Sequence, residues 1–168
     1  LGVMDKTCTS MGSRLLSDWI AAPLIDHDAI TLRHDAVGSF VADVVLRTDL
    51  RDTLKKTYDL TRLLARIATG RTGPRDLLQV TSTLQSLPAL KDKLDLNEAT
   101  RLQAIHHQLH LCPDLREMLE MALADECPVF ASDGNFIRVG YDADLDRLRQ
   151  LMDSNVPVNT QVCPVRSG

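Results

Sequence analysis

The feature that most constrains the fold is the recurrence of apolar side chains at the spacing of an α-helix. It is clearest in residues 59–70, whose sequence is DLTRLLARIATG. The apolar residues of this stretch lie three and four positions apart, and side chains with that spacing share one face of a helix. Gly70 is placed to end the helix, because glycine readily adopts the left-handed conformation. The same periodicity elsewhere in the chain predicts a mainly α fold.

A second amphipathic pattern opens the chain, in the stretch DKTCTSMGSRLLSDWIAAPL of residues 5–24. Thr9 or Ser10 can accept a hydrogen bond from the free amides of the first turn, which predicts the N-cap there. The helix is expected from about residue 11 to residue 22. Pro23 then ends it, because the residue before a proline is driven away from the helical conformation.

Gly12 lies within the apolar face of this first helix, below Leu16 and Trp19. One interpretation is that another backbone crosses the helix there and leaves no space for a side chain. The other is that Gly12 is a tolerated residue at a frayed helix end, where a glycine costs less than the ~1 kcal/mol expected in a helix interior. Both interpretations remain open from the sequence.

Proline, glycine and acidic residues punctuate the rest of the chain. Pro74 suits the first position of a helix that is expected to end at Pro88. Asp133 and Gly134 form a turn typical of a hairpin, between two strand-like pairs of residues. The predicted architecture is mainly α, an irregular array of seven or eight helices with one small β-hairpin. The other helices are expected at about residues 26–44, 49–56, 97–111, 115–123 and from 142 onward.

The composition limits the classes of protein to which this chain can belong. Its 168 residues, 44% of them apolar, suit one domain or one piece of a larger protein, and a net charge of −4 argues against nucleic-acid binding by the whole surface. The four cysteines form no C-x-x-C pair, which favours a reduced, cytosolic protein. No segment is apolar over the length that a membrane span needs, and no signal peptide is recognisable. Because no initiator methionine opens the chain, we expect an excised segment of a longer protein.

Sequence motifs for common enzyme chemistry are missing. The chain has no phosphate-binding loop, because no glycine is followed by lysine, and it has no G-x-G-x-x-G, H-E-x-x-H or G-x-S-x-G. His106, His107 and His110 are the best candidates for a metal site, with Cys112 as the soft ligand near them. A small helical metalloenzyme is therefore an alternative hypothesis, although polar faces of helices often carry such histidines.

Four arginines are concentrated around the helix of residues 59–70. Arg62 and Arg66 share its polar face, and Arg71 and Arg75 follow. Like charges four positions apart destabilise a helix by roughly 0.2–0.5 kcal/mol, so another interaction is expected to hold them there. They form either a solvated face paired with acids of neighbouring helices, or an interface to another domain or to a phosphate backbone. Arg62 and Arg66 are the candidate interface residues.

Several blocks of sequence stand in a recognisable order and spacing. The first is D-x-T-x-T-x-M-G-x-R-L-L, the central ones are DLTRLLARI and PRDL, and the last is I-R-x-G-Y-D-x-x-L-D-x-x-R. Together they resemble the core, or lever, domain of the MutS family of DNA mismatch-repair proteins, most closely its bacterial form, over residues 1–152. The motif positions in this chain are Thr9, Met11, Gly12, Arg14, Trp19, Pro23, Arg33, Asp59, Arg66, Pro74, Arg75, Asp76, Gly140, Tyr141, Leu145, Asp146 and Arg149.

The resemblance implies a mechanical role. In the family, this domain links an ATPase to a DNA clamp, and its helices relay the nucleotide state to the grip on DNA. The parent protein is then expected to bind mispaired duplex DNA as a homodimer, to use ATP and magnesium, and to recruit a MutL-like protein, in the cytoplasm with the nucleoid and not in a membrane. This chain would itself supply no catalytic, cofactor-binding or metal-binding residue, and we expect it not to be an enzyme.

The resemblance does not cover residues 153–168 of this chain or all of the domains of the family. Residues 153–168 have the character of an irregular tail that does not resemble the family. Neither the mismatch-reading domain, with its Phe-x-Glu motif, nor the ATPase domain is present in this sequence. The residues that perform those two functions therefore cannot be assigned here. The alternative function is a free-standing helical interaction module without repair activity.

Overall fold

The computed structural model describes residues 2–95 and 97–154. Within them the chain forms eight α-helices and one short 3₁₀ turn without any β-strand, so the prediction of a mainly α fold is confirmed. The elements are α1 (Ser10–Ala21), α2 (His27–Ala42), α3 (Val44–Leu54), α4 (Leu60–Ala68), α5 (Pro74–Asp95), α6 (Thr100–Gln108), α7 (Pro113–Ala122), the 3₁₀ turn (Ala131–Asp133) and α8 (Ala143–Ser154).

Helix α5 is the centre of the packing. It spans 22 residues and contacts α3, α4, α6 and α7. Leu63 of α4 and Leu119 of α7 are only 2% and 9% exposed in the main apolar cluster. Burying a leucine side chain stabilises a fold by roughly 1.5–3 kcal/mol, so this cluster dominates the stability. Its other buried members are Val80, Leu84, Leu87, Leu90, Leu123 and Cys127.

The prediction that α5 ends at Pro88 is wrong, because the helix continues to Asp95. A proline inside a helix removes one backbone hydrogen bond and costs about 3 kcal/mol. Leu87, Leu90 and Leu94 are buried on either side of Pro88, and their burial offsets that cost. Tertiary packing therefore overrides the local signal.

A smaller apolar cluster joins α2, α5 and α6 through Ala36, Leu94 and Leu102. The buried Asn97 supports it from the loop after α5. Its side-chain amide donates a hydrogen bond to Ser39 Oγ at 3.0 Å. This contact fixes the end of α5 against α2.

Hydroxyl and acidic side chains cap the helices of the N-terminal half. Thr9 accepts a hydrogen bond from the amide of Gly12 at 3.0 Å, which confirms the predicted N-cap of α1. Asp26, Asp43 and Asp59 cap α2, α3 and α4 in the same way. Each cap satisfies amides that have no partner within their own helix.

The predicted β-hairpin at Asp133 and Gly134 is wrong. Positive φ angles of 72° and 55° fall at Gly134 and Asn135, whereas Asp133 is the last residue of the 3₁₀ turn. An Asp-Gly hairpin turn needs positive φ at both of its central residues, and Asp133 does not meet that condition. The chain instead makes one isolated antiparallel bridge between Leu123 and Ile137, which connects the end of α7 to the segment before α8.

The surroundings of Gly12 differ from the close crossing considered above. A Cβ atom at this position would lie 3.1 Å from Thr9 Oγ1 and 3.4 Å from Thr7 Cβ. The nearest atoms therefore belong to the side chains that precede α1, and the interpretation of a crossing backbone is wrong. Gly12 accommodates the N-cap itself.

A close backbone approach exists at Gly73, just before α5. A Cβ atom at Gly73 would collide with the carbonyl oxygen of Val129. Nearby, the amide of Arg75 donates a hydrogen bond to the carbonyl of Pro128 at 3.1 Å. The segment after α7 is thus held directly against the start of α5, which explains why it does not pair as a hairpin strand.

The described chain ends with α8 at Ser154. The tail expected over residues 153–168 therefore lies, from residue 155 onward, outside the described residues, as does Cys163. Among the described helices, none has the length and apolar character that crossing a bilayer requires.

Candidate interdomain interface

Asp59 joins the first helix to the core. Its carboxylate accepts two hydrogen bonds from the Arg14 guanidinium, at 2.5 and 2.9 Å, and one from Ser10 Oγ at 3.0 Å. It also accepts the amide of Arg62 at 3.2 Å as the N-cap of α4. These donors, with the Arg14 guanidinium as the largest influence, hold the pKa of Asp59 well below its usual range. The charged carboxylate therefore fixes α1 against the start of α4.

Apolar packing contributes little to the attachment of α1. None of its residues is buried, and Leu15, Trp19 and Ile20 are 49%, 39% and 47% exposed. Arg33 of α2 lies over Trp19, with the guanidinium carbon 3.7 Å from the ring centroid, in a cation–π contact. Charges and hydrogen bonds are therefore the main forces that hold this helix.

A second carboxylate orders the segment before α1. Asp5 accepts hydrogen bonds from Ser13 Oγ at 2.5 Å and from Thr7 Oγ1 at 2.7 Å. These bonds, that from Ser13 first, lower the pKa of Asp5 to about 2. Arg51 of α3 also donates to the carbonyl of Lys6 at 3.0 Å. The segment is thus tied both to α1 and to α3.

Arg66 and Asp76 close the corner between α4 and α5. Arg66 Nη2 lies 2.8 Å from Asp76 Oδ1, and Asp76 Oδ2 accepts the amide of Gly73 at 3.2 Å. Arg62 also has an acidic neighbour, because its Nε lies 3.5 Å from Asp59 Oδ2. Both candidate interface arginines are thus paired with acids of the chain, as the solvated-face interpretation expects. Their role in an interface stays a prediction.

A third joint fixes the start of α8. Gly140 has a φ angle of 89°, and its amide donates to Asp146 Oδ2 at 2.6 Å. Arg149 donates to Asp146 Oδ1 at 3.2 Å and to the Ile137 carbonyl at 3.0 Å. One arginine therefore links α8 both to its own first turns and to the segment before it.

The motif residues identified from the sequence fall into separate groups in the structure. One group surrounds Asp59, a second is the pair of Trp19 and Arg33, and two more form the α4–α5 corner and the α8 joint. Each group connects two elements of the fold. Thr9 and Gly12 form the N-cap of α1. The remaining motif residues are the partly buried Met11 and Leu145, the exposed Pro23, Arg75 and Tyr141, and Pro74, the buried first residue of α5.

The histidines considered as metal ligands lie in a different environment. Among the described residues, no cluster of three or more histidine, cysteine or acidic side chains has a geometry that could hold a metal ion. His106 Nε2 lies 3.8 Å from a carboxylate oxygen of Asp95, and its ring meets that of His107 edge-on at a centroid distance of 5.4 Å. The described geometry gives no support to a site built from His106, His107 and His110.

Sequence reasoning missed two features of these joints. The close approach at Gly73 involves Val129, which is remote in the sequence, so no local signal indicates it. The role of Asp5 was also missed, although an Asp two residues before a Thr is a pattern that often makes local side-chain hydrogen bonds. That signal could have predicted the contact with Thr7.

Comparison with known proteins bears on the region that contains these joints. A family model described as MutS domain III matches residues 1–161. The chain belongs to the MutS family. The DNA mismatch repair protein MutS of Rhodopirellula baltica is 62% identical over 151 residues, which cover 90% of this chain and 17% of that relative. The protein of the same name from Symbiobacterium thermophilum is 41% identical, again over 90% of this chain and 17% of the relative.

A third MutS relative has a different name but a similar match. The DNA mismatch repair protein HexA of Streptococcus pneumoniae serotype 4 is 41% identical over 147 residues, which cover 88% of this chain and 17% of HexA. The chain thus spans about 17% of the length of the MutS relatives it matches. The joints at Asp59, at Arg66 and at Arg149 all lie within the region matched by MutS domain III.

Proposed function

We propose that this chain is the first segment of the core, or lever, domain of a longer MutS protein, and that it transmits force without catalysing a reaction. The observation that carries the proposal is the series of charged joints at Asp59, at Arg66 with Asp76, and at Asp146 with Arg149. The first two joints connect one helix to another, and at the third Arg149 also connects α8 to the segment before it. The match to MutS domain III, which includes all three joints, supports the assignment.

Fixed joints between helices make the segment suitable as a lever. Packed helices move as rigid bodies, so a displacement at one end is passed to the other. Helix α5 contacts four other helices and would be the body of the lever. Helix α1, held by charge at Asp59, and helix α8, held through Arg149, would be the arms through which other domains act on it.

The proposed parent protein has functions that this chain does not supply. It would bind mispaired duplex DNA as a homodimer, bind and hydrolyse ATP with magnesium in a separate domain, and recruit a MutL-like protein. Its location would be the cytoplasm, in association with the nucleoid. The isolated 168-residue chain should then show no ATP turnover and little preference for mismatches. Robust ATP hydrolysis by the purified chain would contradict the proposal.

The Asp59 joint provides the main test in the parent protein. We expect Asp59→Asn to weaken the change in ATPase rate that a mismatched duplex produces, while the rate without DNA changes little. The physical reason is that the neutral amide loses the charge pairing with Arg14, so α1 no longer moves with α4. Asp52→Asn is the matched control, since the one ion-pair partner of Asp52 among the described residues is Lys55, at the end of its own helix. Equal responses of the two variants would contradict a lever role for this joint.

Arg62 and Arg66 require separate charge reversals. Arg66→Glu would place two acids together at the α4–α5 corner, so a lower melting temperature is expected whether or not the residue serves an interface. Among the described residues, the Arg62 side chain makes one ionic contact, at 3.5 Å to Asp59, so Arg62→Glu reports more directly on an interface. If Arg62 meets another domain or DNA, its reversal should weaken the DNA response of the parent protein at a nearly unchanged melting temperature. An unchanged DNA response would assign Arg62 to the solvated face.

A further inference from the structure

Two arginines face a cleft at the α4–α5 corner without an acidic partner in the part of the chain that the structure describes. The cleft, which we call the arginine cleft, is lined by Arg71, Arg75, Gly73 and Phe130 around the Arg66–Asp76 pair. Arg71 and Arg75 are exposed, and neither side chain forms an ion pair or a hydrogen bond with any described residue. Phe130 is 67% exposed at the same place. An aromatic ring and two free guanidinium groups are thus presented together.

The carboxylates nearest to these arginines are already occupied. Both oxygens of Asp76 are used, one by Arg66 at 2.8 Å and the other by the amide of Gly73 at 3.2 Å. Asp125, which lies near Arg75 on the other side, is held by Arg138 at 2.8 Å. Intramolecular acids therefore do not neutralise Arg71 and Arg75 in the described part of the chain, and their charge is available to a partner.

The backbone beneath the arginine cleft is fixed. Gly70 has a φ angle of 66°, and the amide of Arg71 donates to the carbonyl of Arg66 at 2.9 Å. On the opposite wall, the amide of Arg75 donates to Pro128, and Gly73 abuts the carbonyl of Val129. A partner would consequently bind a preorganised surface, which reduces the loss of conformational entropy on binding.

We propose that the arginine cleft binds an acidic protein segment in which a carboxylate side chain pairs with Arg71 and Arg75 and an apolar side chain packs on Phe130. The proposal rests on the proposed function in one respect, because the segment would belong to the remainder of the longer MutS protein. A planar guanidinium forms two parallel hydrogen bonds with a carboxylate, and arginine and aromatic residues are both enriched in protein interfaces.

A phosphate backbone fits the arginine cleft less well. Phosphate contacts are polar and would leave Phe130 in solvent, whereas a protein segment would cover it. The chain also carries 23 acidic against 19 basic residues, and its net charge of −4 repels a polyanion at long range.

Zero-length crosslinking of the full-length protein tests the proposal. Arg71→Lys and Arg75→Lys keep the positive charge and place a primary amine in the cleft, which a carbodiimide joins to any carboxylate in contact. Arg101→Lys is the matched control, because Arg101 is also an exposed arginine without a described partner but lies on α6. Peptide mass spectrometry should find crosslinks from Lys at 71 or 75 to acidic residues outside residues 1–168, several-fold above the control. Phe130→Ala should lower their yield.

Three results would overturn the proposal. The first is a crosslink yield no higher than that of Arg101→Lys, and the second is crosslinking confined to Asp76 or Asp125 of this chain. The third is that Arg71→Ala with Arg75→Ala lowers the salt dependence of duplex binding by roughly one unit for each residue, which would identify phosphate contacts. Mismatch-stimulated ATPase, measured on the same samples, tests the proposed function separately, because crosslinks can form in a protein that shows no such response.

Discussion

Helix α1 and the core around α5 are held in the fold by different forces. Helix α1 has no buried residue and is attached through Arg14, Ser10 and Asp59, with Arg33 over its Trp19. The core depends on leucines such as Leu63, which is 2% exposed. Ionic contacts are lost on protonation and are screened by salt, whereas apolar burial does not depend on the charge of a side chain and is not screened. The chain therefore combines an apolar core with a helix, α1, whose attachment depends on pH and salt.

The largest expected effect is a loss of unfolding free energy when a leucine of the core is shortened, compared with a leucine of α1. Leu63→Ala removes a buried side chain and should lower the free energy of unfolding by about 2–5 kcal/mol, because the cavity that remains cannot collapse fully. The control is Leu15→Ala on the half-exposed face of α1, for which a change of no more than about 0.5 kcal/mol is expected. Urea unfolding of both variants measures the difference. Similar losses would show that α1 contributes to the core as strongly as α4 does.

Gly73→Ala is expected to have the next largest effect. The added methyl group would collide with the Val129 carbonyl oxygen, so the unfolding free energy should fall by about 1–3 kcal/mol. Gly38→Ala provides a control of opposite sign. Gly38 lies inside α2, where an added Cβ would meet no atom of another element within 4 Å, and alanine there should stabilise by about 0.5–1 kcal/mol. A stabilised Gly73→Ala variant would show that the approach to Val129 is not tight.

Acid should release α1 before the core unfolds. The pKa of Asp59 is depressed in the folded state and that of Asp5 is lowered to about 2, while unfolded carboxyls titrate near 3.9. Their stabilising contribution is thus present above about pH 4 and is lost as the pH falls through the folded pKa values.

The fluorescence of Trp19 can follow this acid release. Trp19 is the sole tryptophan of the chain and lies in α1, so its emission should change at acidic pH before far-ultraviolet circular dichroism reports loss of the helices. The Asp59→Asn variant should show much of that change already at neutral pH. An identical fluorescence titration in the variant and the unaltered chain would exclude Asp59 as the group responsible.

The smallest effect is expected at Gly12. Alanine gains up to about 1 kcal/mol over glycine in helix propensity, and less near a helix end. The new methyl group, however, lies 3.1 Å from Thr9 Oγ1 and disturbs the N-cap. The two effects nearly cancel, so Gly12→Ala should change the unfolding free energy by less than about 0.5 kcal/mol. Combining it with Thr9→Ala removes the cap, and the alanine at position 12 should then become stabilising. If the double variant is less stable than Thr9→Ala alone, a contact other than the N-cap opposes the added methyl group.

The sequence predicts those features of the fold whose causes are local. The caps at Thr9 and Asp26, the left-handed Gly70 and the start of α5 at Pro74 all depend on neighbours within one helical turn. The class of fold follows from the same short-range periodicity. For the candidate interface, the sequence indicated Arg62 and Arg66, and their role there stays a prediction.

Features that depend on remote partners were not predictable in this way. Proline ends many helices, but the leucines around Pro88 are buried against other elements, and α5 continues through it. The residues around Asp133 are typical of a hairpin turn, but the preceding backbone is bound to α5, because the Pro128 carbonyl accepts a hydrogen bond from that helix. The pairing of Arg14 with Asp59 likewise joins residues 45 positions apart. Patterns in a single sequence carry little information about contacts between residues so far apart along the chain.

That separation between Arg14 and Asp59 has a consequence for synthesis on the ribosome. Within this segment, Arg14 of α1 is made before α4, and the Asp59 carboxylate that anchors it is added 45 residues later. At elongation rates of about 5–20 residues per second, the helix waits roughly 2–9 s for its partner. Helix α1 is therefore expected to dock only some seconds after it is made, and a chaperone or a neighbouring domain has that interval in which to reach its exposed leucine and tryptophan.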